Sequence, residues 1–90
     1  MDISLAKRFV WHDVLDDVIY ISRSLDAIRD KNKFFPTSVW GVVPTDSGEK
    51  MISVDIDYEG EPYLQGGIFG VFVHWEYFSE MYKGLKRVEL

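Results

Sequence analysis

The sequence predicts an α+β fold of order α-β-β-β-α: a long N-terminal helix, a three-stranded antiparallel sheet and a C-terminal helix. Three observations carry this reading. From Ile3 to Lys31 there is no Gly or Pro, and the apolar residues recur at helical spacing. After Phe35 and Pro36 the pattern changes to a period of two, and from Trp75 a second helical stripe begins.

The first helix rests on Trp11, Val14, Val18, Ile21, Leu25 and Ile28, whose spacings of 3, 4, 3, 4 and 3 place them on one face. His12, Asp13, Asp16, Tyr20, Arg23 and Asp30 fall on the other side, Asp2 or Ser4 can cap the start, and Arg29 and Lys31 suit the negative end of the dipole. Unbroken, this helix spans about 43 Å at 1.5 Å per residue, longer than a small domain is wide. It is therefore expected either to project its first turns toward a partner or to bend. The β-branched cluster Val18, Ile19 and Ile21 is where helical propensity is weakest.

Pro36 fixes its own φ and turns Phe35 away from helix. The first strand is expected at Ser38 to Val43, ended by the turn signal P-T-D-S-G. The second runs from Lys50 to Tyr58, with Ile52, Val54, Ile56 and Tyr58 on one face and Met51, Ser53, Asp55 and Asp57 on the other. The turn E-G-E-P leads into a third strand, Tyr63 to Val73, where Gly66 and Gly67 suggest a bulge. The last helix carries Phe78, Met81, Tyr82, Leu85 and Val88, with Lys83, Lys86 and Arg87 near its end, and accepts a cost of about 1 kcal/mol at Gly84. In such a meander the central strand is polar on one face. The outer strands are apolar on both, through Val39 and Val43 against Trp40 and Val42, and through Phe69, Val71 and Val73 against Ile68 and Phe72. Either both helices pack on one face, leaving Trp40 exposed among Ser53, Asp55 and Asp57, or one helix covers each face.

The 90 residues carry 10 Lys and Arg against 15 Asp and Glu, a net charge of -5, and 16% of them are aromatic. A chain of this size supports one domain, residues 1–90, with a single core to which the large rings contribute heavily. The absence of cysteine removes disulfide, thiolate-metal and cysteine-nucleophile chemistry and fits a reducing compartment, so a cytoplasmic location is expected. The start, M-D-I-S-L-A-K-R-F, lacks an apolar segment after a basic one, and no stretch approaches the roughly 20 apolar residues of a membrane span, so no membrane partner is expected.

Asp55, Asp57, Glu59 and Gly60 match the first positions of a calcium-binding loop. Pro62 follows at the eighth position and Gly66 at the twelfth, where a bidentate Glu is required, so no metal site is expected. Along an extended chain Asp55, Asp57, Glu59 and Glu61 form a ladder of charge about 6.6–6.8 Å apart, comparable to the phosphates of a nucleic-acid strand. Asp13, Asp16 and Asp17 supply a second cluster, as neighbours on the first helix. His12 and Asp16 stand four apart on that helix, but no phosphate loop, nucleophile elbow or H-E-x-x-H accompanies them, so no catalytic residues are expected. His74 is placed at the strand-to-helix junction. Basic residues gather mainly at the two helix ends, which argues against direct nucleic-acid binding.

At the level of class, a short, acidic, cysteine-free α+β chain with surface aromatics resembles two groups. One is the small inhibitors that phages and plasmids direct against host nucleases and immune complexes, of the anti-CRISPR or anti-restriction type; the other is bacterial toxin-immunity proteins. The first resemblance implies a non-enzymatic module that occludes a basic nucleic-acid-binding surface on a larger protein or nucleoprotein complex, with no cofactor. Asp55, Asp57, Glu59, Glu61, Asp13, Asp16, Asp17 and Trp40 are the residues expected to carry that contact. The alternative is a homodimeric small-ligand-binding or enzymatic domain whose sheet face forms the dimer or the pocket.

Overall fold

The computed structural model describes residues 1–66 and 73–90. Along them run a 3-10 turn at Ile3–Leu5, β1 (Arg8–Asp13), β2 (Val18–Ser22), α1 (Leu25–Lys31), β3 (Val39–Thr45), β4 (Gly48–Ile56), β5 (Pro62–Leu64), β6 (Val73–His74), α2 (Trp75–Met81) and β7 (Lys86–Glu89). Among the described residues seven strands form one mixed sheet in the order β5-β4-β3-β1-β2-β7, with β6 also paired to β4. All pairings are antiparallel except β2 with β7.

This corrects the expected architecture: the protein is a mostly-strand α+β fold with, among the described residues, two short α-helices, not a three-stranded sheet behind a long N-terminal helix. The reason lies in how β1 and β2 are buried. Phe9 and Trp11 pack into one core layer while Val10, Ile19 and Ile21 pack into the other. Strands covered on both faces read as continuous apolar runs, which spacing alone does not separate from a helix. Val14, the second residue of the expected helical stripe, is 61% exposed in the turn between the strands. That turn is built by its own carboxylates. Asp13 Oδ1 accepts the amides of Leu15 (3.2 Å) and Asp16 (3.4 Å), and Asp17 adopts a φ of 53°. Such local side-chain bonds compete with helical ones, and V-I-Y-I favours a strand. Helix begins only after Ser24, whose Oγ accepts the amide of Ala27 at 3.4 Å.

The second expected helix is likewise shorter. α2 ends at Met81, and Lys86–Glu89 joins the sheet edge, placing Val88 beside Tyr20. β3 and β4 lie close to their expected spans, joined by a turn at which Gly48 has a φ of 112°. β4 stops at Ile56, so Tyr58 leaves the sheet instead of continuing its apolar face. The expected third strand has β5 and β6 at its two ends; Gly67, Ile68, Phe69, Gly70, Val71 and Phe72 lie outside the described residues.

One helix covers each face, so the arrangement with both helices on one side is not adopted. α1 and the 3-10 turn cover Phe9, Trp11, Val39, Val43, Ile52, Val54 and Leu64, with Ile28 fully buried between them. α2 places Phe78 on Val10, Ile19, Ile21, Val42 and Met51. Full burial of one such aliphatic side chain contributes about 1.5–3 kcal/mol. Gly41 permits the first layer to close, because a Cβ there would lie 2.7 Å from Leu64 and 2.9 Å from Ala6.

The strand directions decide which loops meet. β1 and β4 run the same way, opposite to β2 and β3, so the β1–β2 turn, the β4–β5 turn and the loop entering β3 share one end of the sheet. The start of β1, the end of β2 and the end of β7 share the other.

Candidate functional site

At the first of these ends, three loops present apolar side chains to solvent. Leu15 on the β1–β2 turn is 86% exposed, Phe34 on the loop after α1 is 69% exposed, and Tyr58 on the β4–β5 turn is 97% exposed. Trp11, Val14, Leu15 and Phe34 line a cleft of about 450 Å³ with Asn32, Thr37 and Ser38. The loop that carries Phe34 is held by Asn32, a buried residue. Its Oδ1 accepts the Phe34 amide at 3.0 Å and its Nδ2 donates to the Thr37 carbonyl at 3.2 Å. Phe34 is thus held outward by a satisfied polar anchor, since an unpaired buried amide would cost about 1–3 kcal/mol. Arg29 of α1 donates to the Gly60 carbonyl at 3.5 Å, joining the helix to the β4–β5 turn.

All seven expected acidic contact residues come to this same end, on different supports from those the sequence suggested. Asp13, Asp16 and Asp17 lie at the end of β1 and in its turn, not on a helix face. Asp55 is in β4, whereas Asp57, Glu59 and Glu61 follow the strand's last residue, so the extended ladder stops at Asp55. Asp57 Oδ1 instead gathers the turn by accepting the amides of Glu59 and Glu61, both at 2.9 Å, while Gly60 takes a φ of 82°. Asp55 Oδ1 accepts the Ile56 amide at 2.8 Å. Asp16, Glu59 and Glu61 have no side-chain partner among the described residues and project unneutralised charge. Arg29, Lys31, Lys33 and Lys86 reach this end too, but the carboxylates outnumber them.

His12 pairs with Asp17, not Asp16: its Nε2 lies 3.3 Å from Asp17 Oδ1, and the Tyr82 ring meets the imidazole edge-on at 4.9 Å. His74 ends β6 immediately before α2, the junction expected for it. Among the described residues no group of three or more His, Asp or Glu side chains is placed to hold a metal ion.

Trp40, the second residue of β3, lies on the sheet face and not among the exposed loop residues. It is half-buried on the α2 face, opposite Ser53, with its ring 5.6 Å from that of Phe78. A small cavity of about 170 Å³ beside it is lined by Met51, Val73, Phe78, Met81 and Tyr82, so Trp40 belongs largely to the packing beneath α2. Leu15, Phe34 and Tyr58 were not singled out as contact residues from sequence. The signal for Leu15 was V-L between three aspartates, a turn composition with two apolar residues at its tip.

No protein-family model, curated protein or solved structure matches this chain. No described helix is long and apolar enough to cross a membrane.

Proposed function

We propose that this protein is a non-enzymatic binding module that docks the acidic end of its sheet on a basic surface of a larger protein. The observation that supports this most is the exposure of Leu15, Phe34 and Tyr58 on three loops at one end of the sheet, two of which also carry carboxylates. Exposed apolar side chains grouped in one patch and rimmed by charge have the composition of a protein-interaction surface. The apolar side chains supply desolvation at the centre of the contact, and Asp16, Glu59 and Glu61 supply long-range attraction to a basic partner. A partner surface able to meet both is of the kind that otherwise holds nucleic acid, so binding there would act as inhibition by occlusion.

A photo-crosslinking residue placed at position 15, in native cells, tests this reading against the same residue at position 45 on the opposite turn. A discrete adduct with a larger protein is expected from position 15, and in extracts of those cells its yield is expected to fall as the salt present during irradiation is raised. Adducts from position 45 alone, or equal adducts from both, would contradict it.

A further inference from the structure

At the opposite end of the sheet lies a groove of about 600 Å³, between the ends of β2 and β7 and the start of α2. Arg8, Arg23 and Arg87 line it together with Trp75, Ser22 and Glu89. A shallower depression of about 350 Å³ shares Arg8 and Arg23 and adds Lys7. Four cations therefore surround two carboxylates, Glu49 and Glu89, in a chain whose net charge is -5.

Two of the three guanidinium groups, those of Arg8 and Arg87, are held by fixed partners. Arg8 lies over the Trp75 ring at 4.5 Å and bonds both oxygens of Glu49, at 3.0 and 3.3 Å. Lys7 shares that carboxylate at 2.7 Å, so one negative charge is divided between two cations. Arg87 lies 5.8 Å from the same ring and donates one nitrogen to the Ser79 carbonyl and hydroxyl at 3.0 and 2.9 Å. Its remaining donors have no partner among the described residues, and neither has Arg23. Stacking on an indole orients a guanidinium while leaving its edge free to donate, and a forked pair of donors matches the oxygens of a phosphate.

We infer that this groove binds a small phosphorylated molecule, a phosphate monoester or a pyrophosphate group, through Arg23 and Arg87 with Arg8 and Lys7 supporting. The volume lies within the roughly 300–1,000 Å³ of small-molecule sites. A small ligand is favoured over a nucleic-acid strand because the positive region is confined to this end. A strand extending beyond it would meet the field of a net acidic protein, without the basic stripe that a polyanion needs. Glu89 faces the same groove and limits how much negative charge it accepts. The site is independent of the docking end and stands or falls separately from it.

The test is an amide NMR titration of the whole protein with sodium pyrophosphate at constant ionic strength. The Trp75 indole and the amides of Arg23 and Ser24 are expected to shift saturably. Arg23→Gln, at an exposed residue without a partner, is expected to keep the native spectrum and weaken binding about tenfold or more, as for loss of a hydrogen bond to a charged group. Glu89→Gln is expected to tighten it. No saturation up to about 10 mM, or an unchanged affinity in both variants, would overturn the site. Tighter binding of a ten-nucleotide oligothymidylate than of pyrophosphate, at the same residues, would overturn the choice of a small ligand.

Discussion

The two ends of the sheet solve opposite problems with the same strands. At one end, Asp13 and Asp57 spend a carboxylate oxygen on their own turns, each accepting two amides, and this leaves the neighbouring Leu15 and Tyr58 standing in solvent. At the other, the charged groups bond one another: Glu49 is shared by Lys7 and Arg8, and two arginines share one indole. The first end is apolar at its tips and acidic around them, which suits a broad surface. The second is concave and basic, which suits a compact anion. The difference shows that net charge describes neither end, since a chain of -5 presents a basic groove where its topology gathers Lys7, Arg8, Arg23 and Arg87.

The largest effect is expected in the sheet that separates the ends. Ile19→Ala removes a fully buried side chain and is expected to cost about 2–5 kcal/mol in urea unfolding, weakening both ends together. Val14→Ala, in the exposed turn, is expected to stay within about 0.5 kcal/mol. A long N-terminal helix would reverse the order, because Val14 lies on its apolar stripe and Ile19 does not.

A smaller effect separates the structural carboxylates of the acidic end from its free ones. Asp57→Ala removes the acceptor of two turn amides and is expected to lower stability by about 1 kcal/mol, whereas Glu59→Gln is expected to leave stability unchanged and to slow association with a basic partner. Equal unfolding midpoints for Asp57→Ala and the parent protein would show that the turn does not depend on that carboxylate.

The smallest effect belongs to the basic end. Hydrogen bonds from Arg8 and then Lys7 hold the Glu49 carboxyl below its ordinary value of 4.5. A carboxyl lowered in the folded state stabilises the protein above its unfolded value, and that stabilisation is lost as pH falls through the folded one. Glu49→Gln is therefore expected to reduce stability at neutral pH by less than about 1 kcal/mol, the range of exposed ion pairs. The gap between the two proteins should close as the solution is acidified below about pH 4.5. A constant gap from pH 7 to pH 3 would place the role of Glu49 in packing instead of charge.

The β3–β4 hairpin was legible because Ile52 and Val54 alternate with polar neighbours and T-D-S-G marks its turn. β1 and β2 were not, because a strand between two helical layers has no polar face to betray its period. The sequence did expose the weakness of the helical reading at Val18, Ile19 and Ile21, where β2 lies. The acidic residues were legible as types. Their convergence was not, because it depends on β1 and β4 running in the same direction, a consequence of long-range pairing. The basic groove was hidden for the same reason. Lys7 and Arg8 are distant in sequence from Arg87, and Lys86 and Arg87 read as an ordinary helix end until β7 joins β2.

The division of the molecule into two binding ends is tested most directly by one amide NMR map recorded with two probes. A lysine–leucine amphipathic peptide is expected to shift residues around Leu15, Phe34 and Tyr58 and to leave Arg23 and Trp75 in place, while pyrophosphate is expected to do the reverse. Shifts from both probes at the same residues, or no response to the peptide at the acidic end, would contradict the account.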